Sequence, residues 1–211
     1  MARTDSRGGP ETRDRIALAA SRLFAERGFE GVTVAEVGRA AGVSSVTVFK
    51  YFPKKEDLFF DRSVEITQLL LAAVADQASP AGVGEALRGL LLRLVDERHP
   101  VSAVEERSVT FFRTVAQSPT LIARARQIAA DMQAALTLQL EAASFDGDAG
   151  LTAAFFIAGY ARILTETATD LINGESHDQL TRRHRARIER LLCALSDGVI
   201  PAAGSQAPAK P

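Results

Sequence analysis

Between Val34 and Phe52 the chain reads VAEVGRAAGVSSVTVFKYF, and no other stretch constrains the fold as strongly. Its apolar and small residues do not suit one straight helix; they fit two short helices meeting at a steep angle. Gly38 is small where the second helix must approach, Gly42 suits a turn residue with positive φ, and Val37, Val43 and Val48 can line the inner angle. That pattern is a helix-turn-helix. Thr33 and Glu36 form a T-x-x-E capping box that opens the first helix. Ser44 caps the second, which runs to about Tyr51 and is closed by Pro53. The second helix exposes Ser45, Val46, Thr47, Lys50 and Tyr51; hydroxyl, ammonium and phenol groups can all hydrogen-bond to base edges or phosphates.

The flanking sequence is helical as well. Period-2 runs of β-branched residues are nearly absent, and Asp-Gly and Asn-Gly dipeptides are not flanked by strand patterns. Ile16, Ala19, Ala20, Leu23 and Phe24 recur at helical spacing within a first helix over about 12–27. A longer helix is expected from Lys54 to Gln77. Breaks fall at Ser79-Pro80, His99-Pro100, Ser118-Pro119, Asp146-Gly147 and Asn173-Gly174. The last two helices, about 148–173 and 177–197, are joined by a short turn and should lie antiparallel. The fold class is therefore all-α, with about nine helices in all. The expected division is a disordered arm over 1–11, a helix-turn-helix domain over 12–53, a helical body over 54–199 and a disordered tail over 200–211.

With these residues in view, the chain resembles the tetracycline-repressor (TetR) family of regulators over roughly Thr12 to Phe59. The likeness rests on F-A-E-R-G-F ending the first helix, T-V-A-E-V opening the second, A-A-G-V-S at the turn, and T-V-F-K-Y-F-P-K-K-E-D-L-F beyond it. The resemblance implies that the third helix enters the major groove, with Ser45, Val46, Thr47 and Lys50 nearest the bases. It implies backbone contacts for Thr33, Ser44, Tyr51 and Lys55. Val46 stands where a polar or small residue is frequent, and it can meet only a thymine methyl or a sugar edge. Phe49 stands where tyrosine often sits and is read as a core aromatic. Arg39 and Lys54 are read as surface charges that add to the field.

One head of this size holds a half-site weakly, so a homodimer is expected, paired through the last two helices. Leu151, Phe155, Ala158, Arg162 and Thr165, with Ile188, Leu191, Leu192 and Leu195, form stripes suited to a four-helix bundle between copies; closure of the monomer's own core is the alternative. Among the middle helices, Phe111, Phe112, Val115, Met132, Leu136, Phe155, Phe156 and Tyr160 are candidate contacts for a small apolar organic effector. By the family's logic, an effector held there shifts the fourth helix and with it the spacing of two heads.

Charge is uneven: residues 1–62 hold 11 Lys+Arg against 9 Asp+Glu, whereas 63–211 hold 14 against 17. The run Arg182–Arg187 is read as a solvated outer face. The single cysteine, Cys193, excludes an internal disulfide and is read as packing beside Leu191, Leu192 and Leu195. No metal site or cofactor is expected, because His99, His177 and His184 lack ligand spacing. No H-E-x-x-H or G-x-S-x-G motif occurs, so an enzyme is the weakest reading. No apolar run approaches the roughly 20 residues of a membrane span, and no secretory signal opens the chain, so a cytoplasmic location is expected. The expected function is repression at a palindromic operator in double-stranded DNA, relieved by the effector. A helix-turn-helix protein acting chiefly through protein contacts or nucleoid association is the alternative.

Overall fold

A computed structural model describes residues 9–104 and 108–198, and among them every regular element is a helix. The elements are α1 (Pro10–Arg27), α2 (Val34–Ala40), α3 (Ser45–Tyr51), α4 (Lys55–Phe59), α5 (Ser63–Val74), α6 (Pro80–Asp96), a 3-10 turn (Pro100–Ser102), α7 (Ser108–Gln117), α8 (Pro119–Ala142), α9 (Ala149–Ile172) and α10 (His177–Gly198). Residues 1–8 of the expected arm and the expected tail lie outside the described residues. Pro10 and Glu11 belong to α1, with Pro10 in its first turn, where a missing N–H leaves no helical bond unmade.

The helix expected over Lys54–Gln77 is two helices, which takes the number of described α-helices past about nine. Phe60 leaves helical geometry at φ −98° and ψ 40°, and its N–H returns to the Glu56 carbonyl. The carbonyl of Asp61, outside both helices, accepts from the Arg13 guanidinium. Core demand explains the break. Phe59 packs its ring against Phe24 and Phe29 at centroid distances of 5.8 and 5.6 Å, whereas Leu70 and Val74 serve a different core.

Two compact units result. The head comprises the chain up to Ser63 together with Thr114–Arg124. Its core gathers Ile16, Ala20 and Phe24 from α1, Val37 from α2, Val48 from α3, Phe52, Leu58 from α4 and, from α8, the fully buried Leu121. The expected boundary at 53/54 falls inside this unit. Neither α4 nor the α7–α8 corner is dispensable to it, since each supplies a core side chain.

The body is built around α6, α9 and α10, with Leu70 and Val74 of α5 and Leu136 and Leu140 of α8 closing the core. Its last two helices pair antiparallel, as expected: Leu191 lies over Gly159 while His184 bonds to Thr167, so contacts ascend one helix as they descend the other. Leu180, His184, Ile188, Leu191, Leu192 and Leu195 form the inward stripe of α10. The 3.6-residue period corrects two expectations. Arg182 and Arg183 do face out, but His184 inside the same run is wholly buried and Arg187 is largely so, ion-paired to Glu166 and Asp170. Cys193 is exposed, because the stripe that buries Leu192 and Leu195 turns it away from the core.

Candidate nucleic-acid interface

The head's outward geometry is set by local bonds. At the start of α2 the Thr33 hydroxyl accepts from the Glu36 N–H at 3.3 Å, while the Thr33 N–H donates to the Glu36 carboxylate at 2.8 Å. This is the expected capping box, and Arg27 completes it with an ion pair to Glu36 at 2.8 Å. The Arg27 guanidinium first, and then the Thr33 N–H and hydroxyl, hold the Glu36 carboxyl down at about 2. Thr33 itself is exposed, but its hydroxyl is already donated to Glu36 at 2.8 Å.

The turn follows from two glycines. Gly42 adopts φ +68°, the left-handed region a side chain resists, and a Cβ on Gly38 would lie 2.9 Å from the Val43 carbonyl oxygen. The Val43 N–H closes back on Gly38 O at 2.8 Å, and Arg15 Nε donates to Ala41 O at 3.0 Å, tying α1 to the turn. Ser44 then caps α3: its Oγ accepts from the Thr47 N–H at 3.1 Å and lies 3.0 Å from the Thr47 hydroxyl.

Helical rotation divides α3. Val48 and the following Phe52 point inward and are buried, with the Arg13 guanidinium 4.9 Å above the Phe52 ring. Val46 is 80% exposed, Lys50 is exposed, and Ser45 and Thr47 are half-buried. Tyr51 is half-buried, with its ring packed against the head core. Phe49 overturns its assignment to the core: it is 47% exposed, because position 48 takes the inward direction and position 49 is rotated about 100° from it. Exposure at 49 was legible in principle from the Val48/Phe52 pair.

Lys55 holds its ammonium 4.2 Å above the Phe29 ring, a cation–π contact that ties the start of α4 to the head core. Next to it, Asp57 accepts the Lys54 N–H at 3.0 Å and Arg124 Nε at 2.7 Å, and Ser118 donates to Glu30 at 3.2 Å. These links from the α7–α8 corner escaped sequence reasoning, since Arg124 lies far along the chain from Asp57.

The proposed effector residues do not converge. Met132, Leu136, Phe156 and Tyr160 meet the body core, where the Phe156 and Tyr160 rings lie parallel at 6.2 Å. Phe111 and Phe112 form an edge-to-face pair at 5.1 Å, and Phe112 packs instead with Val104, Leu171 and Leu180. Val115 packs in the head and Phe155 faces outward at 36% exposure. The missing signal was direction: the candidates divide among three cores, with Val115 in one, Phe112 in another and Met132, Leu136, Phe156 and Tyr160 in the third. Of the proposed dimer stripes, Leu151 is 52% exposed and Ala158, Arg162 and Thr165 are exposed with it on α9. Ile188, Leu191, Leu192 and Leu195 close the body's own core, which was the alternative. Among the described residues no three metal-binding side chains come together, and no helix is long and apolar enough to cross a membrane.

Residues 16–61 match the sequence model of bacterial regulatory proteins, tetR family. A transcriptional repressor, AcnR of Corynebacterium glutamicum, is 38% identical over 80 residues, spanning 38% of this chain and 40% of that relative. The fold matches that of FadR from Thermus thermophilus, a TetR-family repressor solved with lauroyl-CoA, at 23% identity and a TM-score of 0.52 over 94% of this chain and 99% of that one. SmeT, solved with triclosan, matches at 18% identity and 0.55 over 95% and 100% of the two chains.

Proposed function

The chain belongs, through its N-terminal domain, to the tetR family of bacterial regulatory proteins, and from that premise we propose that it is a cytoplasmic transcriptional repressor which binds a palindromic operator as a homodimer and is released by a small apolar effector. It is a regulator, not an enzyme. The observation that carries the proposal is the outer face of α3, where Ser45, Val46, Thr47 and Lys50 stand clear of the core on a helix fixed by Gly42 and the Ser44 cap. Lys50, Lys54 and Arg39 are exposed around it and supply the charge that phosphates require.

A pair of heads needs a joining surface. The outward stripe Leu151, Phe155, Ala158, Arg162 and Thr165 on α9 supports a dimer there, since two large apolar side chains otherwise stand in water. The effector's apolar character is supported by the apolar body core and by two solved neighbours, one holding triclosan and one holding lauroyl-CoA, whose acyl chain is apolar. Its effect on DNA requires different affinity for two arrangements of the protein. The chain passes between the two units within α5, within α7 and within α8.

Footprinting on the protein's own upstream region tests the proposal: a protected palindrome is expected, and its absence rules out a local repressor. Lys55→Ala should weaken binding on every sequence and lower the salt slope by about one unit. An unchanged slope would leave the Lys55 ammonium to Phe29 alone. Sedimentation at micromolar concentration should show a dimer.

A further inference from the structure

Two of the seven most exposed large hydrophobic side chains among the described residues, Val46 and Phe49, lie on the seven-residue helix α3. They are three positions apart and so lie on one face, with Lys50 one turn from Val46. The polar groups around them are partly committed. Thr47 shares its hydroxyl with Ser44, and Thr33 shares its own with Glu36. Phe49 carries no hydroxyl and Val46 no polar atom, so neither can bond a phosphate or a base edge. In a major groove there is one apolar group at base level for such side chains to meet, the C5-methyl of thymine.

We propose that Val46 and Phe49 form an apolar reading surface for thymine methyl groups, so that this protein selects its operator partly by methyl burial rather than by hydrogen bonds alone. The inference rests on the DNA-binding reading above and deepens it. Lys50 on the same face places a cation beside the pair, which favours a nucleic-acid occupant over an apolar protein surface. Burial of one methyl-sized group corresponds to about a fourfold change in affinity.

The test uses the full-length protein and a duplex enriched by it from a random pool. Each thymine of the half-site is replaced in turn by deoxyuridine, which removes the methyl and keeps every hydrogen-bonding group. For the unmodified protein, at least one replacement per half-site should weaken binding about fourfold. Val46→Ala and Phe49→Ala should each weaken binding to the thymine duplex and reduce or abolish the penalty for deoxyuridine at the methyl each contacts. Both side chains are exposed, so the variants should melt with the parent, and their salt slopes should match it because Lys50 is retained. Absence of a penalty at every thymine overturns the inference while leaving DNA recognition intact. A penalty that persists undiminished in both variants overturns it too, by assigning the methyls to other side chains. Failure to enrich any duplex overturns the DNA reading itself, and the inference with it.

Discussion

The exposed helix caps of the head and the buried polar seam of the body are held by bonds of different range. In the head, helix starts are fixed by partners three residues away: Thr33 with Glu36, Ser44 with Thr47, Lys54 with Asp57. In the body, His184 lies buried with Nδ1 2.8 Å from Thr167 Oγ, Arg187 reaches Thr167 and Asp170, and His177 meets the Val104 carbonyl at 2.9 Å across 73 positions. Local bonds stabilise a shape whatever surrounds it, whereas long-range buried bonds exist only once two helices have packed. The head therefore presents a preformed surface, and the body holds a polar seam whose state depends on how α9 and α10 meet. The seam also contains the Tyr160 hydroxyl and His184 Nε2, buried and with no hydrogen-bond partner among the described residues. Burial pushes the Tyr160 phenol up.

The largest expected effect breaks the comparison at its exception. Leu121 belongs to α8 by sequence and to the head by packing, so Leu121→Ala should lower stability by about 3 kcal/mol and weaken operator binding by the protein that remains folded. Leu140→Ala, an equally buried leucine of the same helix in the body core, should lower stability similarly and leave the affinity of the folded fraction unchanged. Denaturant titration with operator binding below the transition checks both. Equal binding by the two variants would return residues 114–124 to the body.

Next in size is the response of the seam to acid. Burial, then the charges of Arg187 and Arg185, hold the His184 imidazole down at about 4 against an ordinary 6.5. In this range the unfolded chain takes up the proton while the folded one does not, so the contribution is intact above pH 6.5 and is lost as pH falls towards 4. The full loss is on the order of 3 kcal/mol. His184→Leu should flatten the stability profile between pH 7 and pH 4 by most of that amount, measured by urea unfolding at each pH. A profile as steep as the parent's would mean that His184 already titrates normally in the fold.

The smallest effect sharpens the contrast at the helix starts. Thr33→Ala removes the hydroxyl of the α2 box and should destabilise the head by about 1 kcal/mol. Asp148→Ala removes the α9 cap, whose carboxylate accepts the Leu151 N–H at 2.8 Å, and should cost about the same in the body. Operator affinity should respond to the first and not to the second; a gel-shift series with both variants decides it.

How far the residues alone foretold this arrangement varies along the chain. The turn at Gly42, the box at Thr33, the cap at Ser44, and the pairing of α9 with α10 were all legible, because each depends on neighbours a few positions away or on an unbroken 3.6 period. The break at Phe60, the outward turn of Phe49 and the dispersal of the aromatics between Phe111 and Tyr160 were not legible in the same way. Each depends on which of several cores claims a side chain, and periodicity marks an apolar face without naming its partner.

What the amino-acid sequence by itself determined is thus the helix-turn-helix: its capping groups, its glycine turn and the identity of the side chains on α3. Only the tertiary structure decided that Leu121 and Arg124 complete the head, that His184 is buried within a basic run, and that Val46 and Phe49 stand exposed together. The physical reason is one of range. A cap or a turn is settled by bonds spanning three or four residues, while a buried position is settled by competition among faces that are distant in sequence and meet only in the folded chain.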